Sequence, residues 1–142
     1  MNEDINIIDI NESDFNDQVI EASENKLIVV DFWAPWCGPC KQLTPILEKI
    51  ILKSGERVTL VKINIDENQQ IAAQLRIQSI PTVYAFKDKQ IVNAFQGVIP
   101  ENKIVEFIEK CLGSKINVDF SEFYQEIKVA MAENKFEETK DI

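Results

Sequence analysis

Two stretches of this chain, KLIVVDFW at 26–33 and VTLVKINI at 58–65, are almost unbroken apolar runs. Strands of this kind suit a parallel sheet covered on both faces, because a strand with one wet face would alternate apolar and polar residues. Between them the period changes. From Gly38 onward Leu43, Ile46, Leu47, Ile50 and Ile51 recur at helical spacing, interrupted by Pro45, which is expected to kink the helix. Upstream, INIIDI (5–10) reads as a short strand. SDFNDQVIEAS (13–23) reads as a helix that puts Phe15, Val19 and Ile20 on one face, with Ser13 as its cap. Downstream, QQIAAQL (69–75) is a short helix, and VYAF (83–86) and QIVNAF (90–95) are strands joined through KDK. That turn lacks the glycine that tight hairpins prefer, so a connection looser than two residues is expected. PENKIVEFIEKCLG (100–113) is a helix opened by Pro100 and stopped by Gly113. The order βαβαβαββα predicts an α/β fold, a central mixed sheet flanked by helices.

Residues 114–142 have a different character. SKINVDF reads as a linker, after which Phe120, Phe123, Tyr124, Ile127 and Met131 follow helical spacing, Asn134 closes that helix, and KFEETKDI begins another. The division expected is therefore a main domain over 1–113 and a linker with a helical extension over 114–142.

Composition narrows the chemistry. At 142 residues and 45% hydrophobic, the chain can bury a core without metal or disulfide staples. Its 15 basic and 24 acidic residues leave a net charge of −9, which disfavours nucleic acid and anionic membrane surfaces as partners. Histidine is absent, so the usual general base and the commonest metal ligand are missing. The first 25 residues carry acids where a signal peptide needs a basic start and an apolar stretch, and no apolar run is long enough to span a bilayer. A cytoplasmic, reducing setting is the expectation. In such a setting a Cys-x-x-Cys pair is catalytic or metal-binding more often than structural.

The chain has that pair, in FWAPWCGPCKQ at 32–42. Cys37 stands where a strand feeds a helix, and the free amide N–H groups and dipole of a helix N-terminus favour a thiolate there. Cys40, one turn along on the same side, is placed to resolve a mixed disulfide by attacking Cys37. Gly38 and Pro39 limit bulk and set the turn between them. The competing readings are inert thiols, half a zinc site, or a metal shared between two copies. Zinc needs four ligands, and beyond the pair the chain offers only Cys111 and no histidine, so no metal site is assigned. Cys111 itself reads as a small core residue near a helix end. Asp31 interrupts an apolar strand, where an unpaired carboxylate is costly to bury; its plain alternative is a solvated strand end. Lys62 is an isolated strand lysine, equally readable as an edge residue. Trp33 fits a core, and Trp36, beside the first cysteine, fits an exposed docking surface.

WCGPCK, preceded by VDFWA and followed by SIPT, resembles the thioredoxin family over roughly residues 5–113. The resemblance implies the thioredoxin fold and a protein-disulfide reductase working through a reversible Cys37–Cys40 dithiol/disulfide cycle. It implies no bound cofactor, with electrons arriving from a thioredoxin-reductase-type partner and disulfide-containing client proteins as substrates. Asp31 matches the family's buried carboxylate, which accepts and returns the proton of the resolving thiol, and Lys62 matches the neighbour that tunes it. Pro81, after Ile80, matches the cis-proline beside the sulfurs, where plain sequence leaves a trans strand-starting proline open. Gly97 matches the glycine that lets a substrate chain approach, and Trp33 and Trp36 match the two tryptophans at the active-site surface. Substrate contact is thereby expected at Trp36, Gly38, Pro39, Ile80, Pro81 and Gly97. The tail adds a second function: AMAENKFEETKDI resembles the start of a tetratricopeptide unit, as in the chaperone-linked thioredoxins called chaperedoxins or YbbN-like proteins. On that alternative the chain is a redox-active co-chaperone whose 114–142 region holds clients or a chaperone.

Overall fold

The computed structural model describes residues 6–116. Five strands, β1 (Ile7–Asp9), β2 (Leu27–Trp33), β3 (Val58–Asn64), β4 (Thr82–Lys87) and β5 (Gln90–Gln96), form one sheet in the order β1-β3-β2-β4-β5. β1, β3 and β2 run parallel, β4 is antiparallel to β2, and β5 is antiparallel to β4. The two apolar runs of the sequence are thus neighbours at the centre of the sheet, where both faces need covering.

Strand periodicity divides the core in two. Leu27 and Val29 of β2 face α1 (Gly38–Lys53) and α3 (Glu101–Leu112), packing with Leu43, Leu47, Ile50, Ile104 and Ile108. Ile28, Val30 and Phe32 face the other way, toward Phe15, Val19 and Ile71, the last on α2 (Gln69–Gln74). Asp31 continues the series begun by Leu27 and Val29, and so points to the α1 side. α1 runs unbroken through Pro45. α3 ends at Gly113, whose φ of 76° is the left-handed conformation a helix stop requires, with its N–H bonded to the Glu109 carbonyl at 2.8 Å.

Two expectations need correction. The segment expected as one α-helix over 13–23 is a tight 3-10 turn at Glu12–Asp14, a wide π-helical stretch at Asn16–Glu21 and a second 3-10 turn at Ala22–Glu24. Ser13 lies inside the first turn, and Asn11 precedes it without a side-chain cap. Both ends are held elsewhere: Glu12 N–H donates to Asn68 Oδ1 (2.7 Å), Ile71 N–H donates to Glu12 Oε1 (2.9 Å), and Ser23 receives two bonds from the β4–β5 turn. With its termini anchored, tertiary contacts rather than local propensity set its pitch. Phe15 and Val19 are nonetheless buried.

The β4–β5 connection is also tighter than expected. Lys87 pairs directly with Gln90, leaving a two-residue turn in which Asp88 (φ 54°) and Lys89 (φ 67°) are both left-handed. Ser23 supports that geometry from outside the hairpin: its carbonyl accepts the Asp88 N–H (2.9 Å) and its Oγ accepts the Lys89 N–H (2.8 Å). Lys89 Nζ also lies 3.3 Å from Glu24 and 3.7 Å from Glu21. The helical pattern at Phe120–Met131, the Asn134 stop and the segment after it lie outside the described residues.

Candidate active site

α1 begins immediately after Cys37, which is its N-cap, and Pro39 occupies its first turn, where no N–H is needed. Cys37 Sγ takes the place of a capping oxygen, accepting the Cys40 N–H at 3.1 Å. Cys37 and Cys40 are joined as a disulfide, with Cα atoms 5.3 Å apart. Both cysteines are buried, at 3% and 2% exposure, and pack with Ala34 against Trp33, Ile65 and Ile80. The residues between and before them form an exposed rim: Pro35, Trp36, Gly38 and Pro39. Trp36 is 67% exposed, with its indole N–H held by both carboxylate oxygens of Asp66 at 3.0 and 3.2 Å.

Ile80, in the loop before β4, packs against the cysteine cluster, and its peptide bond to Pro81 is cis. Gly97, just past β5, donates its N–H to the Pro81 carbonyl at 2.9 Å. Its φ of 79° explains the glycine, and the space where a Cβ would project is open. Trp36, Ile65, Ile77, Ser79 and Ile80 line a shallow groove of about 250 Å³ beside the dithiol. The structure thus brings Trp36, Gly38, Pro39, Ile80, Pro81 and Gly97 around one end of the sheet with the cysteines.

Behind the disulfide lies a second cavity of about 300 Å³, lined by Trp33, Cys40, Thr44, Pro45 and Lys62 among others. Asp31 is fully buried next to it, and Thr44 Oγ1 donates a 2.9 Å hydrogen bond to its Oδ2. Among the described residues Asp31 Oδ1 has no hydrogen-bond partner, and neither does the buried Trp33 indole nitrogen. Burial raises the Asp31 pKa from 3.8 to about 6; the Thr44 bond and the Lys62 charge oppose the shift, and Glu48 and Asp9 add to it. The solvated strand-end alternative is therefore wrong for Asp31. Lys62 faces Asp31 in the β2–β3 register but forms its direct ion pair with Glu48, at 2.7 Å. Desolvation depresses its pKa, yet the Glu48 hydrogen bond and nearby carboxylates prevail and raise it.

Thr44, Glu48 and Asp66 were not singled out by the motifs. The signal for the first two was helical spacing: Thr44 and Glu48 stand one and two turns after Cys40 on the same helix, hence on one face. Cys111 is buried in the α1–α3 core, where burial raises its thiol pKa. No cluster of three or more His, Cys, Asp or Glu that would hold a metal is found among the described residues.

A helix-capping sulfur, disulfide-bonded within one turn and backed by a buried carboxylate of raised pKa, defines a protein of thiol–disulfide exchange. The thioredoxin family model matches residues 6–110. Thioredoxin 1 of Synechococcus elongatus is 39% identical over 103 residues, covering 72% of this chain and 94% of that protein. Thioredoxin of Bacillus subtilis is 41% identical over 92 residues, covering 65% and 88% respectively, and thioredoxin of Haemophilus influenzae is 38% identical over 104 residues, covering 73% and 95%. The chain belongs to the thioredoxin family, has its fold, and is a thiol–disulfide oxidoreductase that reduces protein disulfides. Membership brings disulfide-bearing client proteins as substrates and thioredoxin reductase as the electron source, with no cofactor in the domain.

Proposed function

We propose that Cys37 is the attacking sulfur, Cys40 the resolving one, and Asp31 the group that takes and returns the resolving thiol's proton. The observation that carries this order is the hydrogen bond from Cys40 N–H to Cys37 Sγ at the start of α1, since a sulfur in the N-cap position gains most from being anionic. In the reduced protein the Cys37 thiolate attacks a client disulfide, forming a mixed disulfide and expelling one client thiolate. Cys40 then gives its proton to the Asp31 carboxylate and attacks Cys37 Sγ. The Cys37–Cys40 bond forms, the second client sulfur leaves, and two electrons have passed to the client. Lys62 acts on Asp31 through its charge, favouring the carboxylate that must accept the proton. The exposed rim of Trp36, Gly38 and Pro39, with Ile80, Pro81 and Gly97 opposite, is the client-docking surface.

The order is tested by trapping. Cys40→Ser should attack and accumulate mixed disulfides on a non-reducing gel, and Cys37→Ser should neither reduce nor trap. Equal trapping by both variants would reverse or abolish the assignment.

A dithiol that must return to its reduced form works best in a reducing compartment, so the cytoplasm is the proposed location. We divide the chain into a redox domain, 1–113, against whose core Ile116 also packs, and a partner-binding region in the 114–142 extension beyond that contact. The apolar spacing of Phe120, Phe123, Tyr124, Ile127 and Met131 supports the second assignment, a chaperone being the proposed partner. Capture of a chaperone by the full chain, lost on deleting that region, is the expected result.

A further inference from the structure

Thr44 is a β-branched residue in the interior of α1, a position that local propensity does not favour. It lies one turn after Cys40, and both line the cavity behind the disulfide. Its hydroxyl donates to Oδ2 of Asp31, a fully buried carboxyl whose other oxygen, Oδ1, has no hydrogen-bond partner among the described residues. One oxygen is therefore tethered and one is free.

We propose that Thr44 is a positioning residue for proton exchange with Cys40: its hydroxyl pins Asp31 Oδ2 and fixes the plane of the carboxyl, leaving Oδ1 to take and return the proton. The proposal rests on the reading of Asp31 given above. A tether of this kind keeps a buried carboxyl in one rotamer while its charge changes, because a hydroxyl can rotate and donate to the same oxygen in both states. It also favours the ionised, proton-accepting form, since a hydrogen bond to a carboxylate is stronger than one to a carboxylic acid.

Among the described residues, few charged and titratable groups face Asp31. α1 contributes Glu48 besides Thr44, β3 contributes Lys62, and β1 contributes Asp9. β4 presents Val83, which carries no charge. Glu48 and Asp9 disfavour the carboxylate, so the favourable influences are Lys62 and the Thr44 hydroxyl. Lys62 acts at longer range and is itself paired to Glu48.

Thr44→Val keeps the shape and removes the donor, and Thr44→Ser keeps the donor. Two readouts on the full chain separate the possibilities. The first is the Asp31 carboxyl titration by carbon NMR in the disulfide form: Val should move the midpoint upward by about one pH unit, and Ser should restore it. The second is the rate at which Cys40 resolves a preformed Cys37 mixed disulfide. Val should slow it about fivefold near pH 6, with the gap narrowing as pH rises and the carboxylate refills. Ser should restore the rate, and Val added to Asp31→Asn should slow nothing further.

An unmoved titration, equal slowing by Val and Ser, or a full additional loss in the Asp31→Asn background would each overturn the assignment. Normal resolution by Asp31→Asn alone would instead overturn the reading of Asp31 as proton acceptor. The carboxyl titration distinguishes that failure, because it reads the Thr44 contact whatever Asp31 does in turnover. Should Thr44→Val fold poorly, Thr44→Ala gives the same two readouts.

Discussion

On the proposed mechanism, Asp31 is the residue on which stability and chemistry pull in opposite directions. Its pKa is about 6 in the folded protein and near 3.8 in the unfolded chain, so between those values the folded state binds more protons than the unfolded one. Stability therefore falls as pH rises from about 4 to 6 and stays reduced above, by roughly 3 kcal/mol for a displacement of this size. Asp31→Asn keeps an acceptor for Thr44 and removes the buried charge. It should raise the melting temperature at pH 7 to 8, with the gain shrinking toward zero below pH 4, while turnover at neutral pH drops. Equal melting temperatures for variant and wild type at pH 8 would show that the charge is not penalised. The neighbours should move the titration in opposite senses: Lys62→Gln upward and Glu48→Gln downward, each by about half a pH unit, as followed on the carboxyl signal.

Among the elements, the β4–β5 turn shows how an unfavourable local sequence is made to hold. Two L-residues in the left-handed region together carry a penalty of roughly 2 kcal/mol relative to glycine, and Asp-Lys offers no glycine to relieve it. Ser23 offsets this with two hydrogen bonds from a segment 65 positions upstream of Asp88, as the numbering shows. Ser23→Ala removes the Oγ acceptor and leaves the Lys89 N–H unpaired, so it should destabilise by about 1–2 kcal/mol in chemical denaturation. Lys89→Gly should raise stability by a few tenths to about 1 kcal/mol, since its ion pairs to Glu21 and Glu24 are solvent-exposed and weak. A loss in both variants would mean that the turn is held by the lysine charge instead.

For the molecule as a whole, the two packed faces of the sheet account for its unity, and the last described residues belong to one of them. Ile116 is buried in the core between α1 and α3, its N–H donates to Glu109 Oε2 at 3.1 Å, and Arg57 reaches Ser114 Oγ at 3.1 Å. Ending the chain after Ile116 should keep the melting temperature of the redox domain. Ending it after Gly113 should lower stability by about 2 kcal/mol, the worth of one buried isoleucine. Differential scanning calorimetry of the two truncations makes the comparison, and equal melting temperatures would show that these contacts contribute nothing.

What the sequence by itself determined were the features governed by local pattern and by covalent spacing. The apolar runs at 26–33 and 58–65 can be satisfied only inside a covered sheet, the 3.6-residue spacing of Leu43, Leu47 and Ile50 and of Ile104 and Ile108 selects helices, and the three-residue separation of Cys37 and Cys40 keeps both sulfurs within one helical turn. Asp31 was legible for the same reason, as a charge in an apolar run. The tertiary structure alone decided the partners of those residues. Thr44 and Glu48 look like ordinary polar positions of an amphipathic helix until α1 is laid on β2 and β3, and Asp66 becomes the anchor of Trp36 only once the β3–α2 loop is folded beside the dithiol. The π-helical winding after Phe15 and the tight Asp88–Lys89 turn were hidden in the same way. Local propensity opposes both, and hydrogen bonds between segments far apart in sequence hold them, bonds that no window of neighbouring residues contains.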